Sequence, residues 1–595
     1  METGLPPLHV ISGTGEGELP PPEKAAEPET GFDYARDFGL PDDTVTPTGY
    51  MIGPDGVRIK RLVGKDEAWV RFTYAPIAVT ATFEDPEGDQ FIELSWIDRT
   101  LKHPRRISRI VSRETAKRGK KLIEQVGAAG LPAVEGDARA LERWLAVFEA
   151  DNRTRIPSEK LARWLGWQDD GSFVTSPHDG TKVDVTYEEM KYPARAHGRK
   201  GTLEGWKATV AALEQYPVPR VVLAASFAAP LLRALGINSF TVDVSSRSTK
   251  GKTTALQIAG SVWMDPSEHA NGLSNWRTTL YAIEKRLNLV RGIPTIFDET
   301  MAVADEKLID EVLYQLPLNH GKARSGGAFG SMLPWETVLL SSGERPALSF
   351  TTAQGAAARI LCTTAAPFGD NGGEIAFNSR EGVLANHGHA GPEFVSYIVA
   401  RLAEPGGEEA LRRRHRELAE QLNGENDMTA RRAPMVAALA LAEIIASHIG
   451  LLPYEPLSTD QWHRMFSTHS QTDNRPEMAM DVLREHVASH GWELYPGLDP
   501  DGRVPFAGWL GARYKDDDST DCVALLPQKV RKVLEDAGYS LEAVLGGWID
   551  AGYVKTSENQ RPAHLIPKRF GAGGRAKCLH LTRSAIDLSV TGDGS

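Results

Sequence analysis

The sequence predicts an α/β protein built round one parallel sheet, and three observations lead there. Apolar strands alternate with amphipathic helices from 237 to 375, a Lys-Gly-Lys-Thr corner follows the first of these strands, and the pair Asp298-Glu299 ends a later one. An α+β domain is expected before this core and a winged-helix-like domain after it.

Residues 1–31 are rich in Pro, Glu and Gly and poor in large apolar groups, so they are expected to form a disordered tail. From about 47 to 96, β-branched and aromatic runs are divided by Pro-Asp-Gly and Pro-Glu-Gly turn signals. Helical patterns follow at 112–129 and 137–150, and "SEKLARWLGWQDDGSFVTSP" returns to short strands, which gives an N-terminal domain over 32–200. Residues 202–235 read as two helices split by "YPVPR", opening the core domain 201–405. "EEALRRRHRELAEQL" reads as an exposed helix and "MVAALALAEIIASHIGLL" as a buried one, together a helical lid or connector over 406–470. In 471–595 the order helix, turn, helix and basic hairpin suits a winged helix.

The 595 residues are 41% hydrophobic and 25% charged, as in soluble globular proteins. No run approaches the roughly 18 apolar residues of a membrane span, and the N-terminus lacks a secretory pattern. Cys362, Cys522 and Cys578 lie far apart, and His387 and His389 lack further ligands at useful spacing, so a reducing cytoplasm and no metal cage are expected. A formal net charge of −12 argues against nonspecific attraction of the whole surface to nucleic acid and makes any such contact regional.

The corner itself suits phosphate. After the strand 240–244, the turn of Lys250, Gly251, Lys252 and Thr253 leads into "TTALQIAGSVW", where backbone N–H groups converge on an anion at the helix start. In this P-loop reading Gly251 admits the phosphates, Lys252 reaches the β- and γ-phosphates of ATP, Thr253 ligates Mg2+ and Thr254 assists at the helix start. Ser246 stands where the pattern G-x-x-x-x-G-K-[ST] has its first glycine. "GIPTIFDET" then presents Asp298 to hold magnesium and Glu299 to polarise the attacking water as general base. "WETVLLSSGERP" offers Ser341 and Ser342 as sensors of the γ-phosphate or of the water. Arg359, in "AAARILCTT", either reaches across a subunit interface as an arginine finger or anchors a local carboxylate, with Arg324 and Arg345 as competitors.

Three basic regions are candidates for nucleic acid. "LPLNHGKARSGGAFGSMLPW" has a basic tip of His320, Lys322 and Arg324 on a glycine-rich stem. "KHPRRISRIVSRETAKRGKK" holds nine cations with Glu114 as its one acid. The suspected wing carries Arg561, Lys568, Arg569, Arg575 and Lys577.

In order along the chain, "SSRSTKGKTTALQIAGSVW", "NWRTTLYAIEKRL", "TIFDET", "NHGKARSG", "VLLSSGE", "AAARILCTTAAPFG" and "GHAGPEF" resemble the helicase-like P-loop proteins of domain-of-unknown-function family 927, and the resemblance spans most of the chain. It implies an AAA+-like ATPase related to superfamily 3 and minichromosome-maintenance helicases, hexameric and encoded by a phage or mobile element. By the same likeness nucleotide lies on Gly251, Lys252 and Thr253, water activation on Asp298 and Glu299, sensing on Ser341 or Ser342, and the finger on Arg359. The expected function is a ring-forming helicase or translocase on single-stranded or forked DNA, with a primase or other replication protein as partner. An ATP-switched DNA-binding initiator or regulator, and an ATP-driven protein remodeller in phage defence, stand as alternatives.

Overall fold

Alternating apolar residues and Gly-containing turns between 50 and 112 produce six consecutive strands: β1 (Tyr50–Gly53), β2 (Gly56–Val63), β3 (Asp66–Thr73), β4 (Ile77–Glu84), β5 (Gln90–Asp98) and β6 (Arg105–Ser112). The computed structural model describes residues 32–586 apart from 99–103, 247–250, 324–331, 352–353, 370, 425–426, 468–474, 498–502, 504, 506–507, 516–520, 538, 558 and 571–573. The chain divides into two compact units, one ending at Arg163 and the other beginning at Trp164.

In the first unit β1, β2 and β3 form an antiparallel meander. A second sheet takes the order β7-β4-β5-β6, with β7 (Ser158–Ala162) parallel to β4. The helix Ala138–Asp151 lays Leu141, Trp144 and Phe148 into the core beside Ile77 and Trp96, and Trp144 Nε1 donates to the Ile77 carbonyl at 3.0 Å. The basic run begins on the edge strand β6 and is helical only from Arg113. Its charge is partly neutralised by acids remote in sequence: Arg113 pairs with Glu149 and Lys120 with Glu135. Arg118 pairs with Glu114, Arg106 donates to the Phe38 carbonyl and Arg109 to the Ser108 carbonyl at 3.1 Å, so Arg105, Lys117 and Lys121 are the exposed cations left among the described residues. Lys102 lies outside the described residues.

The second unit opens with short strands β8 (Leu165–Trp167), β9 (Phe173–Val174) and β10 (Lys182–Val183). Its main sheet contains β11 (Phe240–Ser245), β12 (Ser274–Asn275), β14 (Thr295–Asp298), β15 (Val338–Gly343) and β16 (Ile360–Thr363), all parallel, in the order β12-β14-β15-β11-β16. Strand β13 (Val290–Arg291) pairs with β8 instead. On one face, Trp276, Phe297, Leu339, Ile360 and Cys362 pack with the helices Leu280–Asn288 and Lys307–Gln315. The helices Pro217–Ala228 and Lys252–Gly260 pack on each other and both meet β15. All five strands therefore point their C-terminal ends to one edge, where loops gather in open α/β sheets.

Two expectations change here. The helical stretch Pro217–Leu235 is long and apolar enough to cross a membrane, contrary to the absence of any such run; 89% of its apolar window is buried in the fold, as core. "YPVPR" is not itself the break: residues 212–216 separate the helices Leu203–Ala211 and Pro217–Ala228, and Pro217 and Pro219 occupy the first turn of the second, where their missing N–H groups cost nothing. Arg220 of that helix is buried against Glu443 of the helix Asp427–His448, with Nη2 to Oε1 at 2.8 Å.

The last sheet has the order β17-β18-β19-β21-β20, formed by β17 (Leu494–Tyr495), β18 (Gly511–Lys515), β19 (Asp521–Leu525), β20 (Ile566–Arg569) and β21 (Arg575–Leu581). The helices Arg475–Ser489, Pro527–Asp536 and Leu541–Asp550 share its apolar core, centred on Leu483, Leu534 and Trp548. The sequence "LEAVLGGWID" of the third helix contains no Lys or Arg.

Candidate active site

Strand β11 delivers the chain to the C-terminal edge at Ser246, whose N–H donates to the Gly343 carbonyl at 3.2 Å. Lys250 lies outside the described residues; the path resumes at Gly251, which caps the helix Lys252–Gly260 with φ +92°. A Cβ there would sit 2.4 Å from Phe368 Cδ2, so the position favours glycine on two counts. Lys252 is 8% exposed and donates Nζ to the Ser246 carbonyl at 2.7 Å, while Thr253 is exposed and Thr254 half-buried.

The loop and the Asp-Glu strand meet directly. Thr253 Oγ1 donates to Asp298 Oδ2 at 2.7 Å, and Ser342 Oγ donates to Asp298 Oδ1. Glu299 follows with φ +62°, a left-handed backbone that non-glycine residues seldom take and that clusters at functional sites. Its carboxylate accepts from the Met301 N–H at 3.3 Å, and its own N–H reaches Ser342 Oγ at 3.4 Å.

The two serines of β15 separate because successive strand residues face opposite sides. Ser342 goes to Asp298. Ser341 turns to the apolar face, accepts from Trp276 Nε1 at 3.2 Å, and stands in register with Asp243 of β11. Asp243 is a residue the sequence reading did not single out. It is fully buried, accepts from Ser245 Oγ and from the Ala347 N–H at 2.9 Å, and burial pushes its carboxyl up to about 6. It ties β11 to the segment after Gly343.

The arginines are not gathered with these groups. Arg359 precedes β16 instead of lying within it, at the N-terminal edge, and its guanidinium donates to the Gly355 carbonyl at 3.0 Å. Arg345 is engaged by Glu306 at 2.7 Å, and Arg324 lies outside the described residues. The basic loop also leaves from the N-terminal edge. Gly321 N–H donates to the Leu333 carbonyl at 2.9 Å, His320 bridges to Pro334, and Lys322 Nζ is held by Glu311.

Beside Thr253, Asp298 and Glu299 opens a cleft of about 570 Å3, a size suited to a small ligand. Its outer wall is the segment after β12, which sequence reasoning quoted only as part of "NWRTTLYAIEKRL". Asn275 pairs with Asp298 in register, Trp276 N–H donates to the Asp298 carbonyl at 3.3 Å, and Arg277 lines the cleft. Asn271, another non-glycine residue with positive φ at +54°, lines it too.

On the C-terminal hairpin, Lys568 Nζ lies 3.7 Å from the Tyr514 ring centroid, and burial lowers its pKa. Lys577 Nζ donates to the Arg561 carbonyl at 2.9 Å. Arg569 and Arg575 are exposed and stand opposite each other in the antiparallel register.

A search of curated proteins returns no match. Among solved structures, "SCCmec type IV Cch - active helicase" aligns over 90% of this chain and 96% of its own, with TM-score 0.64 and 18% identity, a likeness of fold. "The A form apo structure" of the NrS-1 C terminal region aligns over 84% of this chain and 96% of its own, with 8% identity and a TM-score of 0.27, too low to speak for the fold. The resemblance read from the motifs is met in the sequence comparison: over residues 54–328 the chain matches the family described as Domain of unknown function (DUF927).

Proposed function

We propose that this chain is an ATP-dependent DNA helicase or translocase of a phage or mobile element, acting in replication as a hexameric ring on single-stranded or forked DNA. The observation that carries the reading is Thr253 Oγ1 on Asp298 Oδ2 at 2.7 Å, where the loop after β11 meets the end of β14. A helix-start hydroxyl against a strand-end carboxylate is the donor set that a magnesium–nucleotide complex uses in P-loop enzymes. The Gly251 backbone, with no room for a side chain, suits close approach of phosphate. The name of the similar structure, an active helicase, and the match to the family model support the same reading. Under it the parallel sheet is an AAA+-like P-loop core and the last sheet with its helices a winged-helix-like domain.

Bound Mg2+–ATP supplies an electrophilic γ-phosphorus whose charge the metal partly neutralises. Thr253 and Asp298 would hold the cation, and Ser342 donates to the second carboxylate oxygen of Asp298. Lys252 turns from the Ser246 carbonyl to the phosphates. Glu299, placed by its left-handed backbone beside Asp298, orients the attacking water and takes its proton. The test is ATP hydrolysis with and without single-stranded DNA, beside Lys252→Ala and Glu299→Gln. Stimulation by DNA that disappears in both variants supports the translocase; hydrolysis unchanged in Lys252→Ala rejects the site.

One observation favours the second reading, an ATP-switched DNA-binding initiator: Arg569 and Arg575 expose paired charge on the C-terminal hairpin. Duplex binding lost on Arg569→Ala/Arg575→Ala, with no strand separation at any ATP concentration, would select it.

A further inference from the structure

An ATPase of this kind needs positive charge where the γ-phosphate leaves, and the arginines singled out from sequence do not stand there: Arg359 is at the opposite edge of the sheet and Arg345 is engaged by Glu306. The cleft beside Asp298 and Glu299 holds two arginines. Arg286 is buried and occupied, its guanidinium donating to the carbonyls of Asn271 and Gly272. Arg277 differs. Among the described residues its guanidinium has no hydrogen bond or ion pair, and it is exposed.

Its backbone is fixed. The Arg277 N–H donates to Asn275 Oδ1 at 3.0 Å, and Asn275 pairs in register with Asp298. The residue between them, Trp276, is buried and bonded both to the Asp298 carbonyl and to Ser341 Oγ. A rigid base two residues beyond the register partner of Asp298 therefore carries a long, unpartnered cation on the cleft wall that Thr253, Asp298 and Glu299 also line.

We propose that Arg277 supplies, from within the same chain, the charge that contacts the γ-phosphate of ATP and stabilises its transfer to water. The inference rests on the ATPase reading above. In the step, the water oxygen bonds to the γ-phosphorus while the bond from that phosphorus to the β–γ bridging oxygen breaks. The bridging electron pair leaves with ADP, and the water proton goes to Glu299. Arg277 changes no bond; its donors neutralise charge on the equatorial oxygens, and a planar fork suits them better than an ammonium.

The experiment measures equilibrium affinity for a non-hydrolysable ATP analogue and for ADP, together with kcat and KM, in the full chain and in Arg277→Ala, Arg277→Lys and Lys252→Ala. The expected result is analogue affinity lowered about tenfold or more in Arg277→Ala, ADP affinity unchanged, and kcat down by about 100-fold. Arg277→Lys should recover part of the affinity and little of kcat. Unchanged ADP affinity also shows that the variant is folded. Equal loss for both nucleotides, no loss for either, or a change confined to DNA affinity would overturn the proposal. Failure of the wild-type chain to bind nucleotide, or full activity in Lys252→Ala, would instead defeat the ATPase reading on which it rests.

Discussion

Thr253 and Asp298 are 45 residues apart in sequence and 2.7 Å apart in space, hydroxyl on carboxylate. The contact joins the first turn of a helix to the end of a strand that is not its neighbour in the sheet, since β15 runs between β11 and β14. Strand β15 in turn sends Ser342 to the other oxygen of the same carboxylate. Three parallel strands thus converge on Asp298, and substitutions round it separate shape from chemistry. Asp298→Asn keeps the shape and should abolish ATP hydrolysis by about 100-fold or more. Its melting temperature should stay close to that of the wild type.

The adjacent serines should behave oppositely. Ser342→Ala removes a donor from Asp298 and is expected to lower kcat by about tenfold or more with little loss of stability. Ser341→Ala leaves the Trp276 indole N–H without its acceptor, costing about 1–3 kcal/mol in denaturant unfolding with hydrolysis nearly unchanged. Equal effects on kcat would show that the face assignment is wrong.

Asp243 and His197, a buried histidine two residues after the helix Lys191–Arg195, give opposing pH dependences. Burial raises Asp243 from 3.8 to about 6, so the native state holds its proton longer than the unfolded chain and stability falls as pH rises through that window. Burial lowers His197 from 6.5 to about 4, so the unfolded chain binds the proton first and stability falls as pH drops from 6.5 toward 4. Each window corresponds to roughly 3 kcal/mol at about 1.4 kcal/mol per pH unit. Asp243→Asn should therefore gain stability relative to wild type as pH rises from 4 to 6, measured by denaturant unfolding at each pH. A flat difference would mean that Asp243 titrates normally.

Arg220 and Glu443 form a buried pair at 5% and 1% side-chain exposure, and the Leu457 N–H also donates to Glu443 at 2.8 Å. Arg220→Ala leaves that carboxylate uncompensated and should cost about 3–5 kcal/mol. Arg220→Met with Glu443→Leu should recover part of the loss, since an apolar pair of similar volume removes both charges but leaves the Leu457 N–H without its acceptor. A double variant as unstable as the single one would show that the pair is worth more than its desolvation.

Arg569 opposite Arg575 places like charges across a strand pair, an unfavourable arrangement that a bound phosphate would relieve. Arg569→Ala/Arg575→Ala should weaken DNA binding and lower the slope of log affinity against log salt by about 1–2. Lys568→Ala, which removes the cation from the Tyr514 ring, should lower stability and leave that slope unchanged. The reverse pattern would move the nucleic-acid contact to Lys568.

The sequence by itself determined the succession of elements in the core, because hydrophobic period and turn chemistry are local. The strands ending at Ser245, Asp298 and Gly343 follow from apolar runs, and the helix start at Lys252 follows from its glycine. It also marked Thr253, Asp298 and Ser342, residue types whose chemistry is recognisable without a partner in view. Tertiary structure alone decided which groups meet. The pleat sent Ser341 away from Asp298. Sheet polarity placed Arg359 and the His320 loop at the edge opposite Gly251 and Thr253. Glu149 and Glu135 neutralised cations that seemed unopposed along the chain, and a two-residue edge strand, too short for any periodicity to reveal, carried Arg277 to the cleft. Charge and register are properties of neighbours in space, and neighbours in space are what a linear pattern does not contain.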